Sequence, residues 1–228
     1  MCSMTLQIGM LVFPQLTQLD LTGPYEVLAR MPDAQVHLVA KTLDPIDVEV
    51  GPLRLIPTTT FGEAPPIDLL FVPGGGGQVA TTEDAETLDW IHATGEKARW
   101  VTSACTGSLL LGAAGLLDGY RAATHWAFME LLPLVGAIPT HKRVVVDRNR
   151  MTSGGVTAGI DIAFTIVSEV VGRDAAEMIQ LQIEYDPEPP FRAGHPNVAP
   201  LELVARARER IAARYAQRKE QLARLVRR

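Results

Sequence analysis

Arg99-Trp100-Val101-Thr102-Ser103-Ala104-Cys105-Thr106-Gly107-Ser108-Leu109-Leu110-Leu111-Gly112-Ala113-Ala114-Gly115 is the stretch on which the reading of this chain turns. Trp100 and Val101 end a buried strand, Ser103 to Thr106 make a tight turn, and Gly107 to Ala114 form an apolar stretch of helix length. Cys105 thereby falls on a strand-to-helix bend, a nucleophile elbow with sulfur in place of oxygen. At the N-terminal end of a helix, backbone amides and the helix dipole favour a thiolate, so a lowered thiol pKa is expected. Ala104, Thr106, Gly107 and Ser108 are small enough for the turn and for a ligand. A cysteine among Ala and Leu is otherwise read as a small buried hydrophobe; the turn position favours a reactive thiol.

Working upstream, Leu6 to Phe13 is an apolar run of strand length stopped by Pro14, which suits a central strand covered on both faces. A turn-rich segment follows, and Tyr25 to Met31 reads as the first crossover helix. Asp20 lies beyond the carboxyl end of that strand, at the edge where open α/β sheets bind ligands and to which the Cys105 elbow belongs. It is either a turn or capping aspartate or a catalytic partner of the thiol. Gln35 to Ala40 makes a second strand, and Ile46 to Ile56, with Gly51-Pro52 inside, reads as a peripheral hairpin. Asp68 to Pro73 is another buried strand, ending at Gly74-Gly75-Gly76-Gly77. This loop lacks the Lys and Ser/Thr of a phosphate loop and the spacing of a dinucleotide fingerprint. The amides of Gly75 and Gly76 are therefore read as a nest or oxyanion-type site beside Cys105, with a flexible turn as the alternative.

Downstream of that loop, Thr82 to Glu96 reads as one polar-faced helix with Glu83 and Asp84 in its first turn. Arg121 to Trp126 leads into a helix through Leu132, and His125 is either a partner for the thiolate or structural. Arg143 to Asp147 and Arg150 to Ser153 flank a tight turn at Arg148-Asn149. Gly154-Gly155-Val156 then opens an apolar helix reaching Val171. The Gly pair leaves donors for a ligand or permits close packing on the elbow. Asp174 to Tyr185 is a further helix. The expected architecture is one α/β domain over residues 1–228: a mostly parallel twisted sheet, flavodoxin-like, with helices on both faces. A Pro-rich loop (187–200) and a basic, solvated helix (201–228) form an appendage.

The 228 residues are 47% hydrophobic, enough for a substantial core. A net charge of -5 gives no footprint for nucleic acid, and a small neutral substrate is more natural. Cys2 and Cys105 have no metal or disulfide spacing, and no basic leader or eighteen-residue apolar run is present. A cytoplasmic protein without metal, cofactor or membrane partner is expected, with Cys2 incidental on a frayed terminus.

Pro73-Gly74-Gly75, Thr102 to Ser108, Ala113 to Gly119, Ala123-Thr124-His125-Trp126 and Gly154 to Asp161 together resemble the DJ/PfpI superfamily, whose fold is class I glutamine amidotransferase-like. Within it, Leu19-Asp20-Leu21-Thr22-Gly23-Pro24 and Thr106 after the cysteine are similar to the isocyanide hydratase branch. The peptidases of the superfamily place a His where Thr106 stands, and other branches support the cysteine with a glutamate rather than Asp20. The resemblance implies hydration of an isocyanide to an N-substituted formamide by Cys105, Asp20 and Thr106, with Thr106 orienting Asp20 or water. The amides of Gly75, Gly76 and Val156 would hold substrate or water, His125 and Gly154 would stand behind them, and the enzyme would be a homodimer without cofactor. The same motifs resemble the sensor domain of AraC-type regulators, so a cysteine sensor, or another hydrolase or glyoxalase of the superfamily, is the alternative.

Overall fold

The computed structural model describes residues 5–225, so Cys2 lies outside the described residues. In chain order, β1 (Leu6–Leu11), α1 (Gln18–Leu28) and β2 (Ala34–Ala40) precede a hairpin of β3 (Ile46–Asp47) and β4 (Arg54–Leu55) and a short strand β5 (Thr59–Thr60). Then come β6 (Leu69–Val72), α2 (Gln78–Glu83), α3 (Ala85–Lys97), β7 (Trp100–Ser103), α4 (Gly107–Ala113) and β8 (Arg121–Ala122). A 3₁₀ helix (Trp126–Val135), β9 (Ile138–Pro139), β10 (Val144–Asp147), β11 (Arg150–Ser153), α5 (Ala158–Val171), α6 (Arg173–Gln182) and α7 (Leu201–Leu225) complete it.

Seven strands share one sheet in the order β10-β11-β7-β6-β1-β2-β5, and only β10 runs antiparallel to its neighbour. The chain steps from β1 to β2 on one side and then reverses to β6, β7 and β11 on the other. That reversal opens a crevice at the carboxyl ends of β1 and β6, where doubly wound sheets bind ligands. Right-handed crossovers put α1 on one face and α2 to α4 on the other. The helix contacts follow suit, with α1 against α5 and α5 against α6, and α4 against α2 and α3. Ile8, Met10 and Leu11 of β1 and all of β6 are fully buried, which is why both read as continuous apolar runs.

Three elements differ from the sequence expectation. α1 starts at Gln18, not Tyr25, so Asp20 stands in its first turn. Pro24 lies inside this helix and packs toward α5, where a Cβ added at Gly159 would meet its Cδ at 3.2 Å. The predicted helix 82–96 is two helices, α2 and α3, broken at Asp84. Its carboxylate accepts from Thr87 Oγ1 at 2.7 Å and pairs with Lys41 at 2.6 Å, holding the extended residue between them. α7 is exposed over most of its surface, but Arg218, Gln221 and Leu222 are buried, with the helix packed on the 3₁₀ helix and α2.

Leu222 is therefore expected to anchor α7. Leu222→Ala should cost about 2–5 kcal/mol, the usual range for a buried leucine, read as a lower urea midpoint.

Candidate active site

Cys105 adopts φ +54° at the β7–α4 bend, a left-handed conformation unusual outside glycine. The bend is this sharp because Gly107 lies against the carbonyl of Val72, leaving no room for a Cβ. Three hydrogen bonds fix the cysteine backbone: its amide donates to Gly154 O (3.0 Å), and its carbonyl accepts from Thr124 Oγ1 (2.8 Å) and Ser108 Oγ (3.1 Å). The amides of Thr106 and Val156 donate to the thiol. Val156 has φ +33°, a strained position for a β-branched residue, and its amide is the one that reaches the sulfur from the β11–α5 connection.

Asp20 is fully buried. Its Oδ2 accepts from the Gly74 amide at 3.2 Å, while Oδ1 has no well-formed hydrogen bond and the Cys105 thiol is the carboxyl's hydrogen-bonding neighbour. Burial raises the Asp20 pKa from 3.8 to about 7, against the opposing hydrogen bonds from Cys105 and Gly74 and with a contribution from the Glu49 charge. Burial likewise pushes the Cys105 thiol well above its ordinary value, and the Asp20 charge adds to this. The low thiol pKa expected from the elbow position is thus corrected. Two donated amides do not offset the loss of hydration around the sulfur, so the resting sulfur carries its proton and titrates together with Asp20.

The glycine loop also departs from expectation. Gly74 donates to Asp20 Oδ2, Gly75 to Thr106 Oγ1 (3.0 Å), Gly76 to Glu49 Oε2 (3.0 Å) and Gly77 to Gln15 O (2.9 Å). The amides of Gly75 and Gly76, expected to hold substrate or water, are taken by protein acceptors. Thr106 therefore joins the elbow to the loop and makes no hydrogen bond to Asp20 among the described residues. Gly74 is required by proximity: a Cβ there would lie 2.5 Å from Thr106 N and 3.0 Å from Asp20 Oδ2. Glu49 reaches the loop from the β3–β4 hairpin, so that hairpin is not peripheral, and Thr17 Oγ1 donates to the same carboxylate at 2.8 Å.

His125 is half-buried, with Nδ1 accepting from the Ala127 amide at 3.3 Å as a cap of the 3₁₀ helix. Burial, reinforced by the Arg218 charge, lowers its pKa to about 4, so it is neutral at pH 7 and bonded away from Cys105. Gly155 has no space for a Cβ against this ring. Thr124, His125, Trp126, Gly154, Gly155 and Val156 form one side of a cavity of about 540 Å³. Cys105 and Asp20 are not among its lining residues, and Thr124 and Gly154 connect it to the elbow through their hydrogen bonds with the Cys105 backbone. Sequence reading brought Cys105, Asp20, Thr106, Val156 and Gly154 to one place, but missed Glu49, Gln78 and Arg218. Arg218 Nη2 donates to Gly75 O and Nε to Gln78 Oε1, each at 2.8 Å. Its only sequence signal is a charge set in the apolar spacing Ile211, Tyr215, Leu222.

Two consequences can be measured. A carboxyl whose folded pKa is raised from 3.8 to about 7 stabilises the fold below pH 4, and this contribution is lost as pH rises through 7. Asp20→Asn removes that titration, so its stability relative to the parent should improve between pH 4 and pH 8, by up to about 4 kcal/mol in urea unfolding. The His125 ring proton resonances should show no titration step between pH 5.5 and 8, because this ring is neutral throughout.

The DJ-1/PfpI family model matches residues 7–169, which hold Asp20, the glycine loop, Cys105 and Val156. The chain is 57% identical to an isonitrile hydratase of Pseudomonas putida over 92% of its own length and 91% of that protein's. It superposes on the crystal structure of a ThiJ/PfpI family protein from Pseudomonas syringae with a TM-score of 0.92 and 44% identity, covering 95% of this chain and 90% of that one. An HTH-type transcriptional regulator, GbdR of Pseudomonas aeruginosa, is 33% identical over 59% of this chain but only 37% of the regulator. With the elbow, the glycine loop and the doubly wound sheet all in place, the chain belongs to the DJ-1/PfpI family.

Proposed function

We propose that the chain hydrates isocyanides to N-substituted formamides through a covalent thioimidate on Cys105. The observation that carries this reading is a thiol and a carboxyl buried against each other, the carboxyl titrating near pH 7. An isocyanide carbon accepts a nucleophile only as it gains a proton, so a site for it needs sulfur and a proton donor together. The resemblance to the Pseudomonas putida isonitrile hydratase over nearly the whole chain supports the same substrate class.

The resting thiol and Asp20 carboxylate become thiolate and carboxylic acid by moving one proton. The thiolate forms the S–C bond to the terminal carbon while Asp20 delivers that proton to the same carbon, leaving a thioimidate and a carboxylate. Water then adds across the C=N bond: its oxygen bonds to carbon, and one proton passes by way of Asp20 to nitrogen. Collapse breaks the C–S bond, makes the formamide C=O and returns the remaining hydroxyl proton to Asp20. The Thr106 and Val156 amides aimed at the sulfur support the leaving thiolate. The cavity of about 540 Å³ next to Thr124, Gly154 and Val156 would take a small cyclic or aryl substituent of a substrate whose terminal carbon reaches Cys105 past these residues.

On this reading the chain works as one unit, in the cytoplasm, as a homodimer without nucleic acid or metal. Phe191 and Leu201, 78% and 84% exposed beside the Pro-rich segment, are apolar surface that a second copy would cover. No helix among the described residues is long and apolar enough to cross a membrane.

Formamide absorbance after addition of an aryl isocyanide tests the reaction. Cys105→Ala should abolish it, and Asp20→Asn should lower kcat by about 10²-fold or more. Because the active pair carries one proton, kcat/KM should fall as pH drops below about 7, with an apparent pKa that belongs to the pair. Mass spectrometry of the parent enzyme, acid-quenched during turnover, should find the isocyanide mass on Cys105; turnover without Cys105 would defeat the covalent route.

A further inference from the structure

The buried face of α7 follows the spacing Ile211, Tyr215, Arg218, Leu222, and three of these four pack as hydrophobes against the core. Arg218 stands in the remaining core position, 3% exposed. Its guanidinium lies 4.4 Å from the centre of the Phe128 ring and donates to Gln78 Oε1 and Gly75 O. Among the described residues it forms no ion pair; the nearby Glu49 carboxylate is paired instead with Arg214 at 2.7 Å. A buried cation held only by neutral oxygens and a ring is costly, and a leucine or methionine would fill the same place without that cost. The hydrogen bonds it makes lead to the elbow: Gly75, whose carbonyl it holds, donates to Thr106 Oγ1, and the Thr106 amide donates to Cys105.

We propose that Arg218 is a positioning residue of the active site. It seats the Gly75–Thr106 link from the far end of the chain and sets a fixed positive charge behind Cys105 that favours the thiolate when the thiol gives up its proton. Burial lowers the Arg218 pKa, and the charges of Cys105 and Glu49 act the other way, strengthening the hold of the guanidinium on its proton. The other charged and titratable groups facing this region are Asp20 from α1, Glu49 from the β3–β4 hairpin, Arg214 one turn earlier on α7 and the neutral His125. Asp20 and Glu49 oppose a second negative charge, and Arg214 is drawn off by Glu49. Arg218 is thus the cation left to balance the sulfur, and a helix that reads as a solvated basic tail completes the site.

The proposal rests on Cys105 being the reacting group and not on the identity of the substrate, so its test omits the isocyanide. In a Cys2→Ser background, the rate of Cys105 alkylation by iodoacetamide is followed against pH for the parent, Arg218→Met, Arg218→Lys and Gln78→Ala. Arg218→Met should react about 10-fold more slowly at pH 8, with its profile moved about one unit to higher pH. Arg218→Lys should recover most of this, because the charge is kept although the fork is lost. Gln78→Ala should lower the unfolding midpoint while leaving the profile in place. A folded Arg218→Met with the parent's profile, or Arg218→Lys no better than Met, would overturn the assignment. If the Met variant does not fold, Arg218→Gln, which keeps a donor without charge, is judged by the same two criteria.

Discussion

The four consecutive amides of Gly74 to Gly77 each donate to a different part of the chain: the Asp20 carboxyl, the Thr106 hydroxyl, the Glu49 carboxylate and the Gln15 carbonyl. Four of the segments that reach the site are held through this loop. It brings together the start of α1, the elbow after β7, the β3–β4 hairpin and, through the Gly75 carbonyl, α7. The constraint is one of distance as much as of bonding. A Cβ on Gly74 would lie within 2.6 Å of Thr106 Oγ1, so the loop can donate to these acceptors only as bare backbone. Its glycines close a packed junction and do not open a cradle.

Burial at that junction has a second effect. It removes water from a thiol and a carboxyl at once, so both resist ionisation; the Asp20 charge adds to the resistance of the thiol, while the hydrogen bond from Cys105 opposes that of the carboxyl. An elbow at a helix start is expected to yield a thiolate, yet here the two amides on the sulfur are outweighed by desolvation. The pair is left with a single easily moved proton, a more useful property for a reaction that forms one S–C and one C–H bond together than a permanently ionised sulfur would be. His125 fits the same logic: in an apolar wall beside a cation it stays neutral and serves as a helix cap.

Much of this was legible in the sequence for definite reasons. The strand-to-helix bend at Cys105 is marked by small residues on both sides, and the doubly wound sheet follows from apolar runs punctuated by Gly and Pro. Asp20 was placed at the correct edge, but in a turn, because Pro24 suggested a helix start there; inside α1 its ring packs instead in the space left by Gly159. The loop amides were assigned to a ligand because nothing local hints at their acceptors, which come from 27 to 62 residues away. Glu49 and Arg218 escaped for the same reason: one charged residue in a hairpin and one arginine among many in a basic helix become distinctive only when the fold has desolvated them.

The family match ends at residue 169, and α7 begins at Leu201, so the common scaffold already contains the thiol, the carboxyl and the glycine loop. That region overlaps what this chain shares with a transcriptional regulator, and a reactive cysteine on a doubly wound sheet does not by itself choose between sensing and catalysis. The choice depends on what surrounds the sulfur. A carboxyl able to hold a proton at neutral pH stands beside the cysteine, and a cation from outside the family match, Arg218, holds the glycine loop through the Gly75 carbonyl. The likeness to the isonitrile hydratase extends over 92% of this chain, well past the end of the family match. A helix remote in sequence can thus be part of the same site, because the glycine loop it grips is the one that seats the elbow.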